Sequence, residues 1–219
     1  MDILNKYRYS FILSSLLLLM VLTPIIHEFK FISIALSAFL SFTLLTSISA
    51  LSRKRLLFRI SLVLALPYFI LNWLFSYFPN VTLIERCDLI AGIIFFSFMT
   101  ITLLYKIFNE QEVSIEIIFA ALSTYLLIGI TWSFIYALID SLQPGSFNNI
   151  PPDLIDPRFR FAYFSFVTLT TLGYGDITPI NSIAQSWAIL EAIIGQIYLV
   201  VVISGLVGVF ISKNLRRTN

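Results

Sequence analysis

The chain has 219 residues, of which 58% are hydrophobic and 12% are charged, and its net charge is +2. Because soluble domains carry roughly 25% charged residues, this composition predicts an integral membrane protein, and so small a net charge gives no reason to expect a nucleic-acid partner. One histidine and one cysteine are too few for a catalytic cluster, so we expect neither an enzyme nor a cofactor. The single cysteine, Cys87, has no intrachain disulfide partner, and we expect a buried structural thiol.

Apolar segments of membrane-crossing length follow one another along the chain, and a bilayer crossing needs roughly 20 residues. Six such segments run over residues 9–26, 31–51, 56–78, 88–108, 113–139 and 183–212. The third contains Pro67, which predicts a kink. The pattern predicts an all-α membrane protein with six transmembrane helices, divided into a four-helix domain at 1–110 and a second domain at 111–219.

The distribution of lysine and arginine predicts the orientation, because these residues are enriched in cytoplasmic loops. With the N-terminus inside, the basic residues on the cytoplasmic side are Lys6, Arg8, Arg53, Lys54, Arg55, Arg59, Lys106, Lys213, Arg216 and Arg217. The remaining four are Lys30, Arg86, Arg158 and Arg160. We therefore predict cytoplasmic termini. The short loops and the lack of an obvious targeting sequence favour a bacterial inner membrane.

Between the fifth and sixth segments, residues 170–176 read Thr-Thr-Leu-Gly-Tyr-Gly-Asp. Glycine tolerates positive φ, so two alternating glycines allow successive backbone carbonyls to line up. A row of carbonyls can replace the hydration shell of a potassium ion, as the TVGYG loops of potassium channels do. The stretch resembles that filter, with Leu172 in place of valine, and the chain is identified as a member of the potassium channel family. The alternative interpretation is a surface turn, in which glycine and aspartate are common.

The resemblance implies how the ion is bound. Carbonyl oxygens of Thr171, Leu172, Gly173 and Tyr174 would bind K⁺ as the transported ion, with the Thr171 hydroxyl at the inner mouth and Gly175 completing the strand. A re-entrant pore helix would run from Pro157 to Thr170 with Asp156 as its N-cap, and the partial negative charge of its C-terminal end would favour a cation. Since a closed filter needs four strands and this chain supplies one, we predict a homotetramer.

Other residues are assigned to support and gating. Thr170 and Asp176 would support the filter, and the resemblance implies a hydrogen bond from Tyr163 to Asp176; plain packing at the membrane interface is the alternative for the aromatic residue. Glu191 is an ionisable residue inside a membrane span, and we interpret it as a protonated or hydrogen-bonded support of the filter or as a pH-dependent gate. Gly195 lies at the offset of the family's hinge glycine, with close helix packing as the alternative.

The sixth segment also offers a candidate lining for the cavity below the filter. Counting helical turns places on one face Gln196, Leu199, Ile203, Val207 and Ile211. The lower apolar members of that face are candidates for a gate that closes by dewetting.

The order of the segments is that of voltage-gated channels, whose fourth helix carries regularly spaced arginine or lysine. Residues 89–99 of the fourth segment contain no basic residue. We therefore interpret residues 1–110 as resembling a degenerate voltage-sensor domain and 111–219 as the pore domain of a potassium-selective channel that is not classically voltage-gated. The alternatives are a weakly selective cation channel and a non-conducting regulatory membrane subunit. Membrane lipids are the further partner to expect, and the sequence leaves open whether a separate regulatory subunit binds.

Overall fold

The computed structural model describes residues 8–26, 55–78, 80–110, 112–148 and 157–218. Hydrophobic segments fold as helices because helix formation satisfies every backbone group internally. The elements are α1 (Arg8–Ile26), α2 (Arg55–Tyr77), α3 (Thr82–Asn109), α4 (Ile115–Leu142), β1 (Phe147–Asn148), α5 (Pro157–Leu169), β2 (Thr178–Pro179), α6 (Ser182–Ile197), a π-helical segment (Tyr198–Ile203) and α7 (Ser204–Thr218). The last three are continuous, and we call them together the inner helix.

The described helices agree with five of the six predicted segments. Those long and apolar enough to cross a membrane are Arg59–Tyr77, Thr82–Asn109, Ile115–Leu142 and Ser182–Lys213, whereas Tyr9–Leu22 is a shorter apolar helix. The second predicted segment, 31–51, lies outside the described residues.

Helix α3 begins at Thr82, six residues before the predicted start at Asp88. The prediction was wrong because it took charged residues as a boundary. Glu85 lies in the first turn, where an acidic side chain is favourable, and Asp88 is buried within the helix. The expected burial of Cys87 is also wrong, because this side chain is exposed.

Helix α4 is the centre of the packing and contacts α1, α3, α5 and the inner helix. Aromatic rings join it to α2 and α3: Tyr68 meets Phe95 and Phe96 at centroid distances of 5.6 and 5.5 Å, and Phe96 meets Phe134 of α4 at 5.2 Å. A Cβ atom on Gly92 would lie 2.5 Å from the Phe134 ring. The missing side chain thus permits the close approach of α3 to α4.

The inner helix starts at a side-chain cap. The Asn181 side chain accepts a hydrogen bond from the Ala184 amide at 2.7 Å, a standard N-cap contact, and its Nδ2 donates to Ser146 Oγ at 2.6 Å. Just before it, β2 pairs antiparallel with β1, with Phe147 opposite Pro179. These contacts tie the segment after the filter to the end of α4.

The π-helical segment changes the predicted cavity face. The Ser204 amide donates to the Leu199 carbonyl, five residues back, so a turn here uses more residues than an α-helical turn. The count that put Leu199, Ile203, Val207 and Ile211 on the face of Gln196 assumed a regular α-helix, and that assumption was wrong. Ile203 packs against the hydrophobic core. The cavity-lining role of the other residues stays a prediction.

Candidate functional site: the filter loop and the helices behind it

Helix α5 positions the filter loop from behind and ends at Leu169, one residue before the predicted end. It packs between α4 and the inner helix, and Gly129 of α4 permits this contact, since a Cβ there would lie 2.6 Å from the Phe166 ring. The predicted N-cap, Asp156, lies outside the described residues. The C-terminal end of α5 is therefore fixed, and with it the position of Thr170, which follows the helix.

The backbone of the filter loop alternates in handedness. Thr171, Gly173 and Gly175 have φ values of 59°, 58° and 76°, whereas Leu172 and Tyr174 between them are not in the positive-φ region. Only glycine adopts such angles freely, and a β-branched residue such as Thr171 adopts them at a cost. Strain of this kind is concentrated at functional sites. Such alternation allows successive carbonyl groups to face the same side of a strand.

The first amide groups of the filter loop donate hydrogen bonds to the last turn of α5. Leu172 and Gly173 both donate to the Val167 carbonyl, at 2.9 and 3.2 Å, and Thr171 donates to Thr168 at 2.9 Å. Within the described part of the chain, no donor takes the carbonyl oxygens of residues 171–174. The amide donors of residues 171–173 are thus bonded to α5, whereas the carbonyl oxygens of residues 171–174 stay available to a cation.

The end of α5 is held by hydrogen bonds to all four of its last carbonyls, which a helix leaves without intrahelical partners. The Phe166, Val167 and Thr168 carbonyls accept from backbone amides of residues 170–173. The Leu169 carbonyl accepts from the Tyr125 hydroxyl of α4 at 3.1 Å. The position of the filter strand is therefore coupled to that of α4.

Behind the filter, the hydrogen bond implied for Tyr163 is present: its hydroxyl donates to Asp176 Oδ2 at 2.5 Å. Asp176 Oδ1 also accepts from the Ile177 amide at 3.0 Å. The Tyr163 hydrogen bond stabilises the ionised carboxylate and lowers the pKa of Asp176. The hydroxyl of Thr170 donates to the Phe166 carbonyl at 2.6 Å, so this residue supports the turn out of the helix.

Glu191 is fully buried between three helices. Tyr136 of α4 donates to Glu191 Oε2 at 2.6 Å, and Ser165 Oγ of α5 lies 2.5 Å from Oε1. Ser165 Oγ also lies 2.7 Å from the Gly129 carbonyl. The carboxyl group thus connects the inner helix to both α4 and α5.

One turn further along, the inner helix touches the last residue of α5. A Cβ on Gly195 would lie 2.5 Å from the Leu169 carbonyl oxygen and 2.9 Å from Leu169 Cδ1. The pairs Ser165–Glu191 and Leu169–Gly195 are each one turn apart on both helices, so they form two successive contacts along one interface. This close approach explains glycine at position 195; a hinge there stays a prediction.

At the inner mouth of the filter, Gln196 Nε2 donates to the Thr171 hydroxyl at 3.4 Å. The structure brings Thr171 and Gln196 together, while Leu199 and Val207 are half-buried and Ile211 is exposed lower on the inner helix. Sequence reasoning missed the residues behind the filter: Tyr125, Gly129, Tyr136 and Ser165. They lie in apolar helices remote from the filter in sequence, where no local motif marks them.

Comparison with known proteins agrees with this geometry. Residues 113–212 match the family model described as "Ion channel". The rice (Oryza sativa subsp. japonica) protein "Two pore potassium channel c" is 36% identical over 89 residues, which are 41% of this chain and 18% of that protein. The Escherichia coli (strain K12) protein "Voltage-gated potassium channel Kch" is 29% identical over 155 residues, which are 70% of this chain and 33% of that protein.

The chain thus matches a third or less of the length of these curated relatives. No solved structure shows a significant match. The matched range contains α5, the filter loop and the inner helix as far as Ser212, the elements that build the site. Over these residues, the chain matches the ion-channel family model, and the curated relatives that it resembles there are potassium channels.

Proposed function

We propose that this protein is a potassium-selective channel that passes K⁺ down its electrochemical gradient. The observation that supports this proposal most strongly is the backbone of the filter strand. Its φ values alternate, and the amides of residues 171–173 donate to α5. The carbonyl oxygens of residues 171–174 accept from no donor among the described residues. The names of the relatives also specify potassium. A bare K⁺ ion needs an oxygen shell in place of water, and successive carbonyl groups supply it.

Conduction follows from the same chemistry. An ion that enters the strand exchanges water for carbonyl oxygens of Thr171, Leu172, Gly173 and Tyr174, and repulsion between ions at neighbouring sites drives them onward. The Leu172 side chain is directed away from the ion path, since only the carbonyl faces it, so selectivity for potassium survives the exchange of valine for leucine. The hydrogen bonds behind the strand keep its oxygens from collapsing onto a smaller ion.

The working assembly is a homotetramer, because one chain supplies one strand and a closed shell needs four. Two filter side chains support this: Leu172 and Tyr174 are 55% and 66% exposed in the single chain. The inner helix adds exposed apolar residues, including Ile189, Ile193 and Val200. Contiguous exposed apolar surface of this kind marks an interface with protein or lipid.

Gating does not use the membrane potential in the manner of a voltage sensor, even though one relative has "Voltage-gated" in its name. Helix α3 is the fourth predicted segment, and its basic residues are Arg86 near its start and Lys106 near its end. Arg86 is held by a hydrogen bond to the Ser141 carbonyl of α4 at 2.7 Å. Because the middle of α3 carries no basic residue, the membrane potential exerts little force on this helix. Both termini are cytoplasmic, with the filter at the outer side.

The test is potassium flux into liposomes that contain the purified protein, with sodium as competitor and barium as blocker. We expect potassium-selective, barium-sensitive flux that is lost in Gly173→Asp. Gly145→Asp is the matched control, because Gly145 also has a positive φ of 85° and a Cβ there meets nothing within 4 Å, yet it lies outside the filter. Equal sodium and potassium flux would point to a weakly selective channel, and no flux under any ionic condition would contradict conduction.

A further inference from the structure

The buried group around Glu191 contains three short contacts between oxygen atoms. They join Tyr136 to Oε2 at 2.6 Å, Ser165 Oγ to Oε1 at 2.5 Å, and Ser165 Oγ to the Gly129 carbonyl at 2.7 Å. Each contact is short enough to require a hydrogen between its two oxygens. Three protons are therefore needed.

The hydroxyl groups supply only two of them. Tyr136 and Ser165 each carry one hydroxyl proton, while the Gly129 carbonyl and an ionised carboxylate are acceptors only. If Glu191 is ionised, the one hydroxyl proton of Ser165 must serve two contacts, at 2.5 and 2.7 Å. Either the proton is shared between them, or one contact brings two oxygen atoms together with no proton between them. A proton on Glu191 Oε1 satisfies all three contacts: the carboxyl group donates to Ser165, Ser165 to Gly129, and Tyr136 to Oε2.

Burial and charge favour the same protonation state. The Glu191 side chain has no exposed surface, and among the described residues its hydrogen-bond partners are neutral hydroxyl groups. Among the described residues, the titratable groups that face it are Tyr136 and, farther away, Tyr125, both from α4 and both neutral when protonated. Ser165 is its partner from α5. A buried carboxylate without a cation is costly and is avoided by protonation. The short distances by themselves also fit a carboxylate. The protonation state is therefore inferred from the proton count and from the lack of a cationic partner for Glu191 within the described part of the chain.

We infer that Glu191 is a positioning residue that works as a neutral acid. It fixes the pore helix, α5, by a chain of three hydrogen bonds that runs from Tyr136 through Glu191 and Ser165 to the Gly129 carbonyl of α4. Ser165 lies one turn before Leu169, whose carbonyl is held by Tyr125 and touches Gly195. Loss of the carboxyl proton removes one of the three bonds and adds a buried charge, which loosens the helix that carries the filter. The effect on conduction rests on the proposed channel function; the protonation state does not.

The direct test is infrared difference spectroscopy of the purified wild-type protein against Glu191→Gln, in membranes near neutral pH. We expect the wild type to show the carbonyl band of a protonated carboxylic acid that is absent from the variant. A carboxylate band in its place would overturn the inference. This measurement does not depend on ion flux. A protein that fails to conduct would therefore contradict the proposed function, while the infrared spectrum would still report the protonation state of Glu191.

Flux as a function of pH gives the second test. Glutamine keeps a donor for Ser165 and an acceptor for Tyr136, so we expect Glu191→Gln to conduct like the wild type at neutral pH. We expect the wild type to lose flux at alkaline pH, where Glu191 ionises. Glu191→Gln should not show this loss. Glu191→Leu, which removes donor and acceptor, should lower flux at least about tenfold. If the wild type instead loses flux at acidic pH and Glu191→Gln reproduces its acidic behaviour at neutral pH, then Glu191 works as a carboxylate and the inference is wrong.

Discussion

Replacing Gly195 by alanine tests the contact that joins the inner helix to the end of the pore helix. The new Cβ would lie 2.5 Å from the Leu169 carbonyl oxygen, whereas ordinary contact begins at 3.4 Å. The two groups must therefore move apart by the difference, 0.9 Å. The obstructing atom belongs to the backbone, so no side-chain rotation relieves the overlap.

Two energy terms act in opposite directions. Overpacking of this kind costs roughly 1–3 kcal/mol, and alanine regains about 1 kcal/mol over glycine in a helix. We expect a net loss of stability of about 0–2 kcal/mol per chain, from these terms. The larger effect is on the filter, because Leu169 lies two residues before Thr171. In enzymes, a misplacement near 1 Å costs about 100-fold in rate, and we expect ion coordination to be similarly sensitive to position.

Single-channel recording and liposome flux measure this effect. We expect Gly195→Ala to have lower unitary conductance or weaker selectivity for potassium over sodium. Gly205→Ala is the control, since a Cβ at Gly205 on the same helix meets nothing within 4 Å. A hinge at Gly195 predicts changed open probability with unchanged conductance and selectivity. That result, or wild-type behaviour, would refute the packing argument.

Three further predictions concern the support of the filter and the absence of a voltage sensor. The pKa of Asp176 is lowered by the Tyr163 hydrogen bond, so the interaction is present at neutral pH and is lost as pH falls through the lowered value. Tyr163→Phe should raise that pKa and move the acidic limb of the flux profile to higher pH; an unchanged limb would contradict this. Gly129→Ala places a Cβ 2.6 Å from the Phe166 ring. The overpacking cost less the helix-propensity gain of alanine gives a net loss of about 0–2 kcal/mol, measured as a lower unfolding temperature in detergent, with Gly208→Ala as control. Voltage-step recordings should show no gating current from α1 to α3, and a steep charge–voltage relation would disprove that prediction.

The sequence determined the features that depend on neighbouring residues. Apolar runs specify membrane helices because each run must satisfy its own backbone in lipid, and the ends of α2 and α5 were predicted to within one residue. The backbone of residues 170–176 was also predictable in part, because glycine adopts the positive φ found at positions 173 and 175 without penalty; the filter itself stays a prediction. The predicted start of α3 was wrong because charged residues were taken as lying outside the helix, whereas the helix includes them.

The tertiary structure decided how the filter is held. Glu191 meets Tyr136, 55 residues away, and Ser165, 26 residues away, and no local pattern specifies a contact between separate helices. Gly195 could serve as a hinge or as a packing residue in sequence, and only the position of the Leu169 carbonyl favours packing. The π-helical segment likewise has no signature in the sequence, because the run Tyr198–Ile203 is uniformly apolar apart from its tyrosine hydroxyl. The backbone conformation of the loop at residues 170–176 depends on neighbouring residues, but the contacts behind it join distant parts of the chain.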